Sequence, residues 1–278
     1  MKIAVVANFD RSDCFDDIKK ITQLLSGAAE VLTNSSCSGF EGVTNLSEEE
    51  LYRQCDMVLS LGGDGTLLSV AGKASLYDKP VLGINAGRLG FLTGGEREFF
   101  FSEGYKKITE GFETEIRMML KAEVISDKTV NEYHALNDIV VARTSFARVG
   151  SISVFVDNEL LATYPADGVI VATPTGSTAY SLSAGGPVID PALEAIIITP
   201  ICPHMLSART IVVPPGKVIS VIKTEGYNDE CAMTSDGKNG CMLNDGDAVR
   251  ISRSDRSVKL VKISDRTFYK LLKDKLQY

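Results

Sequence analysis

The chain reads as an α/β protein followed by an all-β one. An N-terminal doubly wound α/β domain leads into a C-terminal β-sandwich, and a C-terminal helix packs back on the first domain. Three observations predict this. Strand and helix patterns alternate over roughly the first hundred residues. From about residue 112 apolar residues recur with period two instead. Phe268–Leu276 then returns to a helical period. The expected boundaries are 1–100, joined by 264–278, for the α/β domain and 101–263 for the sandwich.

Lys2–Ala7 is a short apolar strand. Asp16–Leu25 is a helix, because Ile18, Ile21, Leu24 and Leu25 share one face. Glu30–Leu32 reads as a second strand. Glu48–Gln54 is a short helix whose Glu48-Glu49-Glu50 start is a solvated first turn. Residues 57–61 form a strand, 66–77 a helix and Pro80–Asn85 a further strand. Strands separated by helices run parallel, and ligands of such sheets collect at the carboxyl edge of the strands. The loop Gly83–Phe91 leaves that same edge and could wall a crevice there.

In the second half Ile116, Met118, Leu120, Ala122 and Val124 alternate with polar or exposed positions. Ile152, Val154 and Val156 do the same ahead of an Asp157-Asn158 turn, and Val218–Ile222 and Val258–Ile263 repeat the pattern. Such strands suit a sandwich. Arg253, Asp255 and Arg256 read as an exposed turn. In the last helix Phe268, Leu271, Leu272 and Leu276 fall on one side.

Composition narrows the function classes. The 278 residues are 44% hydrophobic and 23% charged, ordinary for a soluble globular protein. With 29 basic and 36 acidic residues the net charge is −7, which argues against a general binder of nucleic acid or anionic membrane. Cys14, Cys37, Cys55, Cys202, Cys231 and Cys241 contain no C-x-x-C spacing, and His134 and His204 are the only histidines. The cysteines therefore read as reduced thiols of a cytoplasmic protein. Ile3–Ala7 is too short for the apolar core of a signal peptide, and Ala195–Ile201 is interrupted by Pro200 before it could span a membrane.

The most informative residues are Gly62-Gly63-Asp64-Gly65-Thr66. A buried strand leads in and a helix leads out, so Asp64 sits at a strand-to-helix turn. The N–H groups of a helix N-terminus attract phosphate, and glycines let the backbone approach it. An acid beside a phosphate is repelled unless a divalent cation intervenes or the acid handles a proton. That combination points to phosphoryl transfer. The run is neither a G-x-G-x-x-G fingerprint, since Leu68 holds the last glycine position, nor a Walker loop. The plain alternative is a glycine turn with Asp64 as a helix cap.

A second segment, Asp167–Pro191, adds hydroxyls at Thr173, Thr175, Ser177, Thr178, Ser181 and Ser183, with Tyr180 among them. Such a run suits a sugar or phosphate surface; the plain reading is a Ser/Thr-rich turn capping a helix. With both segments in view the chain closely resembles the NAD kinase family. Gly62–Thr66 matches its phosphate loop. Leu136-Asn137-Asp138 matches its Asn-Glu/Asp motif. Asp167–Pro191, Gly83–Leu92 and Thr199–His204 with Leu206-Ser207 match its other signatures. Diacylglycerol, sphingosine and phosphofructokinases share only the short glycine-aspartate loop.

The resemblance implies an active site between an α/β and a β-sandwich domain. It implies transfer of the γ-phosphate of ATP to the 2′-hydroxyl of the adenosine ribose of NAD, with Mg²⁺ accompanying the nucleotide and no dedicated protein metal site. Asp64 would accept the hydroxyl proton. Gly62, Gly63 and Thr66 would form the phosphate loop, with Gly65 against the ribose and phosphates. Asn137 and Asp138 would hold NAD, with Asp138 near a ribose hydroxyl pair, and Asp167 would meet the nicotinamide end. Thr178, Ala179, Tyr180, Ser181, Leu182 and Ser183 would line the adenosine pocket, and Arg148 would be a further cofactor contact.

The family also implies a homodimer or homotetramer whose partners are small molecules, with no nucleic acid and no membrane. Two positions depart from it. Pro165 replaces a common Arg or Lys, leaving the choice between NAD and NADH open. Asp236-Gly237-Lys238 replaces Asp-Gly-Gln and would make that contact cationic, unless it is a plain hairpin turn. His134 reads as a strand residue. Phe91 is open to adenine stacking or to core packing. Two competing functions are a lipid or sugar kinase sharing the glycine loop, and a nucleotide sensor without turnover.

Overall fold

A computed structural model describes residues 1–7, 14–34, 40–85, 87, 90–126, 129–144, 150–223, 230–238 and 240–276. Two compact units emerge, Met1–Ile116 with Ser257–Tyr278, and Arg117–Arg256. The sequence pattern places the boundaries at residues 100–101 and 263–264.

The first unit is a parallel sheet with helices. Its elements are β1 (Lys2–Ala7), α1 (Cys14–Leu25), β2 (Glu30–Asn34), β3 (Val43–Leu46), α2 (Glu48–Gln54), β4 (Met57–Gly62), α3 (Asp64–Ser75) and β5 (Val81–Asn85). The strand order is β3-β2-β1-β4-β5, so the chain reverses direction across the sheet beside β1, as a doubly wound fold does. β4 and β5 are buried throughout. They are mostly apolar, as strands covered on both faces are, with Ser60 and Asn85 the buried polar residues among them. Ile18, Ile21 and Leu25 of α1 pack on Ile3, Val5 and Leu59. Ser47 and Glu50 form a reciprocal capping box at the start of α2. β3 went unread because two of its four residues face solvent.

The Val258–Ile263 segment belongs to this unit rather than to the sandwich. It ends the long strand Ala248–Lys262, and Leu260 pairs in parallel with Val81 of β5. Arg253, Asp255 and Arg256 lie within the same strand and not in a turn. Phe268–Leu276 is a helix as expected, with Leu271 buried.

The second unit carries two antiparallel layers. One has the strand order Ile211–Val213, Ile196–Ile201, Gly168–Ala172, Asp138–Arg143, Cys231–Ser235, Gly240–Leu243. The other includes Glu159–Pro165, Ser151–Val156 and Ile219–Lys223, followed by the start of Ala248–Lys262. Ile139, Val141, Val169, Val171, Ile198 and Met233 from the first layer share a core with Leu120, Ile152, Val154, Val221 and Val249. The period-two reading holds for these strands, except that Ile116 is largely exposed. The opposite face of the six-stranded layer is also apolar, with Val140, Ile170, Ala172 and Ile197 packed against Ala184 and Ile189. The segment after Ala172 therefore folds over its own sheet. Among the described residues Cys55, Cys202, Cys231 and Cys241 are free thiols, and no helix is long and apolar enough to cross a membrane.

Candidate active site

In the first unit the glycine turn stands at the carboxyl end of β4. Gly63 is the N-cap of α3 and supplies no side-chain bond, so the first turn presents its N–H groups and partial positive charge without a side-chain cap. A Cβ on Gly63 or Gly65 would meet nothing within 4 Å. The backbone there is open to an approaching phosphate. Gly62 is different, because a Cβ would lie 2.5 Å from Thr66 Oγ1.

Asp64 is not a helix cap. Its carboxylate turns to another loop, accepting the Phe91 N–H at 2.8 Å on Oδ2 and the Leu92 N–H at 3.2 Å on Oδ1. A Cβ on Gly90 would fall inside this carboxylate, so only glycine permits the approach. Each carboxylate oxygen offers two lone pairs, so Asp64 can still receive a proton donor from a ligand. Asn85 pairs in register with Gly62. Its Oδ1 accepts the Gly87 N–H at 3.0 Å, while its buried Nδ2 has no partner among the described residues.

In the second unit three distant segments converge. Asp236 and Gly237 both adopt left-handed backbone at the tip of the hairpin joining Cys231–Ser235 to Gly240–Leu243, a conformation that Asp and Gly tolerate. The Asp236 carboxylate accepts the N–H groups of Leu136 (2.9 Å), Asn137 (2.7 Å) and Asp138 (3.1 Å). The Asp236 N–H donates back to the Asp138 carbonyl at 2.9 Å. From the other side Thr173 Oγ1 donates to the Leu136 carbonyl at 2.6 Å and its N–H to the Asn137 carbonyl at 2.9 Å. Gly176 lies so close that a Cβ would strike the Asn137 backbone. The Asn-Asp turn is thus gripped on both sides. Asn137 Oδ1 is buried without a partner. The Asp138 carboxyl is pushed up to about 7, first by burial and then by the neighbouring Asp236 charge. Burial also raises Asp236, against the lowering by its three N–H donors and Lys238.

The hydroxyl-rich segment is mostly spent inward. Ser177 Oγ donates to the Pro174 carbonyl and accepts the Ile189 N–H. Thr178 bonds the Thr175 carbonyl, Ser181 lies 3.0 Å from Thr199 Oγ1, and Arg117 reaches Thr175. These bonds fix the shape of the loop. Tyr180 and Ser183 are exposed, Ala179 and Leu182 half-buried. Asp167 forms an ion pair with Arg143 at 2.7 Å. Lys238 is exposed beside Asp236. Arg148 lies outside the described residues. His134 is a bonded strand residue, Nδ1 at 2.9 Å from Ser254 Oγ and Nε2 at 2.7 Å from Glu132.

Sequence reasoning missed Asp236, Gly90, Gly176 and Asn85 as site builders. The signals were present in part: an Asp-Gly pair between alternating strands, and glycines within the two matched signatures. Their partners lie far away in sequence, however, and no local pattern reveals that. Among the described residues no group of three or more His, Cys, Asp or Glu could hold a metal ion. Magnesium held through nucleotide phosphates needs only one or two protein carboxylates.

Comparison with known proteins agrees. The ATP-NAD kinase N-terminal domain matches residues 16–111 and the ATP-NAD kinase C-terminal domain residues 136–263. A NAD kinase of Caldanaerobacter subterraneus subsp. tengcongensis is 41% identical over 99% of this chain and 98% of its own. One from Prosthecochloris aestuarii is 38% identical over 99% and 96%. Among solved structures, a NAD kinase from Archaeoglobus fulgidus in complex with ATP aligns with a TM-score of 0.78 at 30% identity, covering 100% of this chain and 99% of its own. Yeast NADH kinase complexed with NADH shares the fold, with a TM-score of 0.88 at 24% identity over 100% and 87%.

Proposed function

The chain belongs to the ATP-NAD kinase family and is an enzyme with NAD kinase activity, and we propose how its residues divide that work. The γ-phosphate of ATP passes to the 2′-hydroxyl of the adenosine ribose of NAD, giving NADP. Asp64 takes the hydroxyl proton. The single observation that carries this reading is the Asp64 carboxylate, fixed by two backbone N–H groups at an open glycine turn.

Phosphoryl transfer asks a protein mainly for alignment and charge neutralisation. Gly63 and Gly65 supply main-chain donors at the helix start for the phosphates, with Gly62 and Thr66 completing the loop. Magnesium enters with the nucleotide and neutralises phosphate charge. A ribose hydroxyl is a weak nucleophile until a base withdraws its proton, and such help is worth about 10²–10⁴-fold. Asn137 Oδ1, buried and unpartnered, is an acceptor for a nucleotide donor. Asp138 accepts from ribose hydroxyls, Tyr180 offers an exposed ring, and Thr178, Ala179, Ser181, Leu182 and Ser183 shape the wall beside it. Asp167 meets the nicotinamide end, Arg148 adds a contact, and the enzyme works in the cytoplasm as a homodimer or homotetramer.

The test is NADP formation by the purified protein with ATP, Mg²⁺ and NAD, run beside NADH. NADP formation supports the reading, and the NADH rate reports the effect of Pro165. Tight NAD binding without product would leave a sensor. Neither product nor binding would favour a lipid or sugar kinase.

A further inference from the structure

The Asp64 carboxylate is held from outside its own helix, and the holder is itself held. Phe91, whose N–H donates to Asp64, has its ring against Phe268 of the C-terminal helix, with centroids 6.4 Å apart. Lys275 of the same helix places its ammonium 5.1 Å above the Phe91 ring, within cation–π range. The chain therefore runs from helix to ring, from ring to main-chain N–H, and from N–H to carboxylate. Gly90 completes it by admitting the carboxylate where a side chain would block it.

We propose that the Gly90–Leu92 turn, braced by Phe268 and Lys275, is a positioning device for Asp64. This rests on the reading of Asp64 as the proton acceptor. A general base must sit within hydrogen-bond reach of the proton it takes, and a misplacement of about 1 Å can cost about 100-fold in rate. Two N–H bonds on separate oxygens fix both the position and the plane of the carboxylate. The brace sets where those N–H groups stand. It also decides the question of Phe91: its ring is occupied by packing on the C-terminal helix.

The experiment is a double-mutant cycle on the full chain. Phe268→Ala should lower kcat about tenfold or more, within the ~100-fold span of a small displacement, with KM for NAD and ATP nearly unchanged. Phe268→Tyr should restore it. In an Asp64→Asn background Phe268→Ala should cost nothing further, because its effect passes through Asp64. Gly90→Ala should mimic the loss, with far-ultraviolet dichroism reporting whether it folds. An unchanged kcat in Phe268→Ala, or losses that multiply in the Asp64→Asn background, would overturn the proposal. Full turnover in Asp64→Asn alone would overturn the prior reading instead, and the two failures are distinguishable.

Discussion

The two units use one interaction in opposite directions. At the glycine turn of the first, the Asp64 side chain is held by main-chain N–H groups of Phe91 and Leu92. At the Asn-Asp turn of the second the main chain of Leu136–Asp138 is held by a side chain, Asp236. On the proposed reading the carboxylate in one region does chemistry, while the one in the other holds backbone in place. The difference teaches that an acid gripped by N–H groups is not by that fact catalytic. What separates them is the surroundings: an open glycine on each side of Asp64 at a helix start, and for Asp236 a hairpin tip whose carboxylate is taken up by three N–H groups.

That contrast can be broken most sharply at Asp64. Asp64→Asn should lower kcat by about 10²–10⁴-fold while NAD binding, read by calorimetry, persists. The amide keeps one acceptor for the two N–H donors, so the melting temperature should fall only slightly. Asp236→Asn should do the reverse. Hydrogen bonds to charged groups are worth about 1.5–3 kcal/mol, so KM for NAD should rise about 10–100-fold with kcat much less affected.

The next effect is one of pH. Asp138 ordinarily titrates near 3.8, and the fold raises it to about 7. The native state therefore holds a proton that the unfolded chain has released, and this contribution to stability falls as pH rises from about 4 to about 7. If the ionised carboxylate is the ribose acceptor, kcat/KM for NAD should climb through pH 7, and Asp138→Asn should flatten that limb. Asp236→Asn removes the neighbouring charge, with Lys238 left facing the pair, and should move the limb to lower pH. The smallest effect is expected at Ser177→Ala. It strands the Ile189 N–H, so stability should fall by about 1–3 kcal/mol, read as a lower midpoint in urea, with kcat unchanged.

Much of this was legible along the chain, and for a physical reason. Asp64 and its glycines are sequence neighbours, so their turn announces itself locally. The buried strands β4 and β5 do so too, as does the helix Phe268–Leu276. Asp236 lies about a hundred residues from the backbone it holds, and Gly90 is 26 from Asp64 by numbering. Such contacts are set by tertiary packing. The inward bonds of the hydroxyl-rich segment were not legible: it crosses an apolar sheet face, where its Ser and Thr residues also satisfy its own backbone.

The most direct test is a pair of NAD saturation curves, for Asp64→Asn and Asp236→Asn, in one assay with ATP and Mg²⁺. The two-role account predicts that kcat collapses in the first with KM for NAD kept, and that KM rises in the second with kcat largely kept. Equal losses of kcat in both, or a normal kcat in Asp64→Asn, would contradict it.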